Sequence, residues 1–196
     1  MDAGSRITLA VGIVTAAVAL IGYWINQRIN RREAKMQMYT EALQVIHHYE
    51  ELPYAIRHRQ GSDAEVRAAL AEKISDVFAR LNYHQTLLTM DSPVVGEAYA
   101  VLFARARRYG GPHRREAWNT APVSSDAEMP AAAYFPYEHQ PELEACLLAM
   151  RNELTPWGWV RRRRIRGRLR ALQEQRPPVE PAWMRQRRER MLSADE

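Results

Sequence analysis

The sequence is nearly devoid of cysteine and has no convincing run of alternating apolar and polar residues. Cys146 is the single cysteine in 196 residues. It excludes a disulfide within the chain, and nothing in the cysteine usage calls for an oxidising compartment. Only residues 132–137 could be briefly extended, so the pattern disfavours a β-sheet fold and favours an all-α one.

The motifs that carry common enzyme chemistry are also missing. Gly110-Gly111-Pro112 lacks the spacing and the lysine of a phosphate-binding loop. Cys146, Ser124 and Ser125 have none of the flanking residues that mark known nucleophiles. No helix that we place has the histidine or glutamate spacings of a metal site, and His84 fits a core position better than a ligand. We therefore predict a non-enzymatic protein without metal or cofactor.

The excess of basic over acidic residues lies at one end of the chain. Residues 157–196 carry twelve arginines against five acids, whereas the preceding residues sum to a net charge of −2. The excess of positive charge therefore belongs to the C-terminal segment and says little about the rest of the protein.

Residues 7–27 form the one long apolar run. Nine of these 21 residues are Ile, Leu or Val and none is charged. As a helix the run would be about 31 Å long, which matches a hydrocarbon core of about 30 Å. Ala17-Val18-Ala19 allows a cleavable signal peptide as the alternative, but the basic residues follow the run instead of preceding it. We predict a transmembrane anchor over residues 1–27.

The residues that follow this run set the expected orientation. Tyr23 and Trp24 suit the membrane interface, and positive flanks stay in the cytoplasm. We therefore predict a protein of the plasma (inner) membrane with its N-terminus outside and its C-terminal domain cytoplasmic. The cations at this interface would be Arg28, Arg31 and Arg32.

Small residues recur along the predicted anchor at spacings of three and four. Such a stripe lets two transmembrane helices approach closely, so it predicts a homo-oligomer, although glycine and alanine are common in any anchor. The stripe consists of Thr8, Gly12, Thr15, Ala19 and Gly22.

Apolar periodicity predicts four further helical stretches, which form an antiparallel bundle over residues 28–156. The first continues from the anchor to Leu52, because Pro53 should end it. The second, 63–90, begins at a capping box that starts with Ser62. The third starts at Ser92-Pro93, and Gly110-Gly111 should end it. The fourth spans 141–155, and short connections predict that the four alternate in direction.

A long loop separates the third and fourth stretches. It includes the aromatic segment Tyr134-Phe135-Pro136-Tyr137. Long loops are often functional, so this segment is a candidate recognition surface. We favour the interpretation that its rings fold down over the core of the bundle.

Residues 157–196 form a basic, Trp- and Arg-rich tail that we predict to be close to the membrane. Tryptophan prefers the headgroup level, and arginine is attracted to anionic lipids. Nucleic acid is the less favoured ligand, and a plain solvated tail is the third possibility. The predicted interface residues here are Trp157, Trp159, Arg161, Arg162, Arg163 and Arg164.

Together these features indicate a single-pass membrane protein whose cytoplasmic helical domain binds or scaffolds an unknown protein partner. The alternative function is an effector that oligomerises through its transmembrane helix and perturbs the membrane. A third hypothesis is an enzyme with a site around residues 112–140.

Overall fold

A computed structural model describes residues 3–123, 125, 135–155 and 157–175, and the side chains of these except for 3–17 and 159. Within these ranges the regular structure consists of five α-helices without a strand, which confirms the all-α prediction. The helices are α1 (Ala3–Arg57), α2 (Ala64–Asp91), α3 (Pro93–Asn119), α4 (Gln140–Glu153) and α5 (Gly158–Gln175). The chain divides into two compact units, Met1–Glu41 and Ala42–Glu196.

In the N-terminal unit, α1 exposes its side chains from Val18 to Ala34. Arg28 places its guanidinium 5.2 Å from the ring centre of Trp24, one turn earlier. Seven large apolar side chains of this stretch are exposed: Val18, Leu20, Ile21, Tyr23, Trp24, Ile25 and Ile29.

Across the described residues, none of the helices has both the length and the apolar character required to cross a bilayer. The transmembrane helix that the sequence predicts is therefore not supported by this structure.

In the C-terminal unit, the last part of α1 and the whole of α3 run in the same direction. The Tyr99 hydroxyl donates to the carbonyl of Ala42 near the start of both segments. At their other ends, Arg59 donates to the carbonyl of Ala117. Since α2 connects the two, it runs in the opposite direction.

The last two helices continue the alternation of directions. Arg105 in the middle of α3 donates to Glu142 near the start of α4 at 2.9 Å, with both side chains buried. Tyr109, further along α3, contacts Glu138 just before α4, so α4 runs antiparallel to α3. After α4 the chain turns, and α5 packs back along it, since Arg162 contacts Glu153 and Arg168 contacts Glu144. The end of α4 and residue Trp157 therefore lie at the same end of the unit as Ala42, as the predicted alternation requires.

The centre of this unit is aromatic. Tyr49 of α1 is fully buried and meets the rings of Phe78 and Phe103 edge-on, with ring centres 5.5 and 5.8 Å away. Helix α3 comes so close to this ring that a Cβ at Gly110 would lie 2.6 Å from the Tyr49 hydroxyl oxygen. Glycine is needed at position 110 for this packing and does not end the helix there.

Two predicted helix ends are therefore wrong. Helix α1 continues past Pro53 to Arg57, and α3 continues past Gly110-Gly111 and Pro112 to Asn119. A proline inside a helix costs about 3 kcal/mol. The turns beyond these prolines place Ile56 and Ala117 in one fully buried cluster, so tertiary packing offsets that cost.

The predicted helix starts are closer to the structure. The carboxylate of Asp63, the residue after Ser62, caps α2 by accepting from the backbone N–H of Val66 at 2.9 Å. Helix α3 begins at Pro93 after Ser92, although the Ser92 side chain makes no capping hydrogen bond. Helix α4 begins with Pro141 in its first turn.

Arg59 joins the C-terminal ends of α1 and α3. The residue is only 6% exposed, and its guanidinium lies 4.9 Å from the ring centre of Trp118. Nη1 donates to the carbonyls of Ile56 and Ala117, both at 3.0 Å. Nη2 donates to the carbonyls of Trp118 and Thr120 at 3.1 and 2.6 Å. One cation therefore satisfies the open carbonyls of two helix ends.

We expect Arg59→Lys to lower the free energy of unfolding by about 2–4 kcal/mol. Lysine keeps the charge but loses the planar fork, and a hydrogen bond to a charged group is worth about 1.5–3 kcal/mol. Urea unfolding of the full-length protein, followed by circular dichroism, measures the loss. Arg80→Lys, at an exposed position of α2, is the control and should change stability by less than about 0.5 kcal/mol. Equal effects of the two substitutions would contradict the role of Arg59.

Candidate functional site

The arginine-rich segment predicted as a tail contributes the fifth helix of the C-terminal unit. Ile165 and Leu169, four residues apart, are buried, and Leu172 is half-buried. Residues at this spacing share one face of a helix, so α5 packs through a narrow apolar row.

Polar contacts fix α5 to α4. Arg162 donates from Nε and Nη2 to the two carboxylate oxygens of Glu153, both at 2.8 Å. At the turn, the side-chain amide of Asn152 donates to the carbonyl of Gly158. A Cβ at position 158 would collide with the backbone carbonyl of Asn152, so the turn requires glycine there. Arg162, one of the predicted interface residues, therefore holds the helix in place.

The remaining arginines of α5 are exposed. Arg168 has a long contact of 3.5 Å to Glu144, and both side chains are about half-exposed. Within the described part of the chain, no carboxylate lies at ion-pair distance from the other cations of the helix. These exposed arginines are Arg161, Arg163, Arg164, Arg166 and Arg170.

Two apolar side chains accompany this basic surface. Trp157 is 71% exposed, and Val160 is 57% exposed in the first turn of α5. At 100° per residue, Val160, Arg163 and Arg164 share the face opposite Ile165 and Leu169. An apolar side chain therefore sits between guanidinium groups on the outward face. The Trp159 side chain lies outside those the structure describes.

The other predicted interface residues belong to the N-terminal unit. All five are exposed on α1: Tyr23, Trp24, Arg28, Arg31 and Arg32. Within the described part of the structure, the only contact between two of these side chains is that of Arg28 with the Trp24 ring.

The predicted packing stripe is described only in part. Ala19 is exposed, and a Cβ at Gly22 would meet no atom within 4 Å. Thr8, Gly12 and Thr15 lie in α1, but their surroundings fall outside the described part of the structure.

The aromatic segment of the long loop folds onto the bundle, as we favoured. Phe135 is buried and meets the ring of Tyr54 edge-on, with ring centres 5.0 Å apart. Tyr137 is half-buried, and burial raises the pKa of its hydroxyl well above the usual range, with further contributions from Tyr49 and Glu50. Tyr134 lies outside the described residues.

A buried ion pair next to this segment was not predicted. His139 Nε2 lies 2.7 Å from Glu50 Oε1, and both side chains are largely buried. The signal in the sequence was the position of Glu50. It stands four residues after Ile46, where the apolar row of α1 continues, and an acid at a core position needs a partner.

Candidate groups for chemistry are few in the described residues. Cys146 is fully buried in α4, and burial raises the pKa of its thiol to about 12, so the thiol stays protonated near neutral pH. Among the residues that the structure describes, no three His, Cys, Asp or Glu side chains are grouped so that they could hold a metal ion.

Comparisons with protein families, with curated proteins and with solved structures found no match. The site is therefore interpreted from its own residues.

We expect Leu169→Ala to detach α5 from the bundle. Removing a buried leucine side chain costs about 2–5 kcal/mol, which is large for a helix held by one apolar row. Hydrogen exchange of the full-length protein should become faster in residues 158–175 and stay unchanged in α2. Val160→Ala, at the exposed position, is the control and should leave exchange as it is. Unchanged protection of α5 in Leu169→Ala would contradict this expectation and show that the polar contacts of α5 alone hold it on the bundle.

Proposed function

We propose that this is a single-pass protein of the plasma membrane, anchored by residues 7–27 with its N-terminus outside. In this proposal the C-terminal unit is cytoplasmic, lies against the anionic leaflet through α5, and acts by binding or scaffolding a protein partner, without catalysis. The observation that carries the proposal is the outward face of α5, where exposed Val160 lies among exposed arginines.

The anchor is supported by the chemistry of the N-terminal segment. Residues 7–27 carry no charge, and the large apolar side chains from Val18 to Ile29 are exposed along α1. Water is a poor solvent for so many neighbouring apolar side chains, whereas a bilayer accepts them. Tyr23, Trp24 and Arg28 then have the order expected at a cytoplasmic interface.

The contact with the leaflet is supported by the composition of the outward face. Each arginine near an anionic leaflet contributes about 1 kcal/mol, so Arg163, Arg164 and Arg170 contribute about 3 kcal/mol, or roughly a hundredfold in binding. Val160 suits the boundary between headgroups and acyl chains. A nucleic acid backbone would use the cations but would gain little from the valine. Trp157 also lies at the end of the unit where the chain arrives from residue 41.

The anchor can be tested by placing charge within it. Two arginines near the centre of a membrane helix cost about 5–7 kcal/mol, which exceeds the roughly 3–5 kcal/mol that nine aliphatic residues contribute. We expect the Val14→Arg/Val18→Arg protein to be extracted from bacterial membranes by alkaline carbonate, whereas the wild-type protein and Val14→Leu/Val18→Leu remain in the pellet. Extraction of the wild-type protein would refute the anchor.

The contact of α5 can be tested in reconstituted vesicles. A polarity-sensitive dye is attached to Val160→Cys in a Cys146→Ala background of the full-length protein. We expect its emission to shift to the blue in phosphatidylglycerol vesicles but not in phosphatidylcholine vesicles. The triple change Arg163→Ser/Arg164→Ser/Arg170→Ser should abolish the shift.

The matched control removes three exposed arginines elsewhere in the C-terminal unit, by Arg80→Ser, Arg108→Ser and Arg115→Ser. This variant should keep the shift. Equal emission in both lipids would refute the contact with the leaflet, and a shift caused by duplex DNA in its place would favour the nucleic acid alternative.

A further inference from the structure

Residues 135–139 form a short segment, here termed the strap, that is fastened across α1 and α3. The backbone N–H of Phe135 donates to the Tyr54 hydroxyl at 3.1 Å. His113 Nε2 lies 2.9 Å from the carbonyl of Pro136, and the Tyr109 hydroxyl donates to Glu138 at 3.1 Å. The last fastening is the contact of His139 with Glu50 at 2.7 Å.

The strap covers part of the core. Phe135 packs in one buried cluster with Ile56 and Ala117, the residues that lie beyond the two helix prolines. Lifting the strap would expose this apolar cluster, so the strap must be held firmly or the cluster must gain another cover.

Both ring nitrogens of His139 lie close to an oxygen atom. Nδ1 lies 2.8 Å from the carbonyl of Tyr137, and Nε2 lies 2.7 Å from the carboxylate of Glu50. Neither oxygen can donate. Nδ1 therefore needs a proton to form its hydrogen bond with Tyr137, and the contact of Nε2 with the carboxylate is an ion pair only when both ring nitrogens carry a proton. The neutral ring has one N–H and would turn a lone pair toward one of the two oxygens.

The charged groups around His139 favour this doubly protonated form. On α1, Glu50 also accepts from His47, whose Nδ1 lies 3.3 Å from Oε2. On α4, Glu142 adds a second negative charge, although it is paired with Arg105 of α3.

Burial by itself lowers the pKa of His139. The close contact with Glu50, the hydrogen bond to Tyr137 and the charges of Glu50 and Glu142 outweigh burial and raise the pKa above its ordinary value. The remaining titratable group of the strap that faces this site is Tyr137, and its raised pKa keeps it a neutral hydroxyl. Arg114 of α3 acts on Tyr137 in the opposite sense.

We propose that the strap is a pH-controlled clamp, closed while His139 carries two protons and released when it loses one. The clamp depends only on the C-terminal unit and goes beyond the proposed membrane function. Because the pKa of His139 is raised on closing, the stabilisation is fully present below the ordinary value of about 6.5 and is lost as the pH rises through the raised value.

The test is hydrogen exchange of the full-length protein at pH 6.0 and 8.5, corrected for the intrinsic pH dependence of exchange. Protection of residues 135–139 should fall on raising the pH, by about tenfold for each unit that separates the pKa of His139 in the closed and open states. Residues 77–88 of α2 should keep their protection, which distinguishes release of the strap from unfolding.

Variants assign the effect to His139. His139→Gln should give the same corrected protection at both pH values, equal to that of the wild-type protein at pH 8.5. Glu50→Gln should reduce the pH response and lower the pKa of His139 measured by NMR, which keeps the test decisive even if His139→Gln folds poorly. His48→Gln, a neighbouring histidine on α1, should retain the full response. A wild-type strap whose protection is the same at both pH values, or a His139→Gln protein that still responds, would overturn the proposal.

Discussion

The C-terminal unit depends on one cation placed between two helix ends. Helices α1 and α3 run in the same direction, so their C-terminal dipoles and open carbonyls lie side by side and repel each other. Arg59 lies between them and donates to four carbonyls from the two ends. The backbone carbonyl of Arg59 also accepts from the backbone N–H of Val123. This hydrogen bond fixes the chain that follows α3.

This arrangement explains why both helices can continue beyond their prolines. The extra turns after Pro53 and Pro112 bring Ile56 and Ala117 together and end where Arg59 can reach their carbonyls. Without that cation, the buried carbonyl of Ala117 would lose the contact with Arg59, and so would the part-buried carbonyls of Trp118 and Thr120, at a cost of about 1–3 kcal/mol for a buried one left without a partner. The two helices therefore need the buried cluster and Arg59 to extend this far, and the cluster forms only because they do.

The parts of the fold that could be predicted from sequence are those that local chemistry decides. The starts of α2, α3 and α4 depend on Asp63, Pro93 and Pro141, whose effects reach only one turn, and the predicted starts lie within two residues of those in the structure. The ends of α1 and α3 depend on packing between residues about sixty positions apart, which no local pattern contains. Arg59 itself stands beside Gly61 in a polar stretch that is typical of a solvated loop.

The candidate site shows the same division. Ile165, Leu169 and Leu172 recur at helical spacings in the sequence, and the structure has that row packed on the bundle. The sequence does not distinguish the roles of the arginines. Arg162 differs from Arg163 only because it lies opposite Glu153 once the chain has turned back at Gly158. The buried row of Ile165 and Leu169 and the ion pair of Arg162 with Glu153 together fix the rotation of α5 about its axis. With that rotation fixed, Val160, Arg163 and Arg164 lie on the face opposite the buried row.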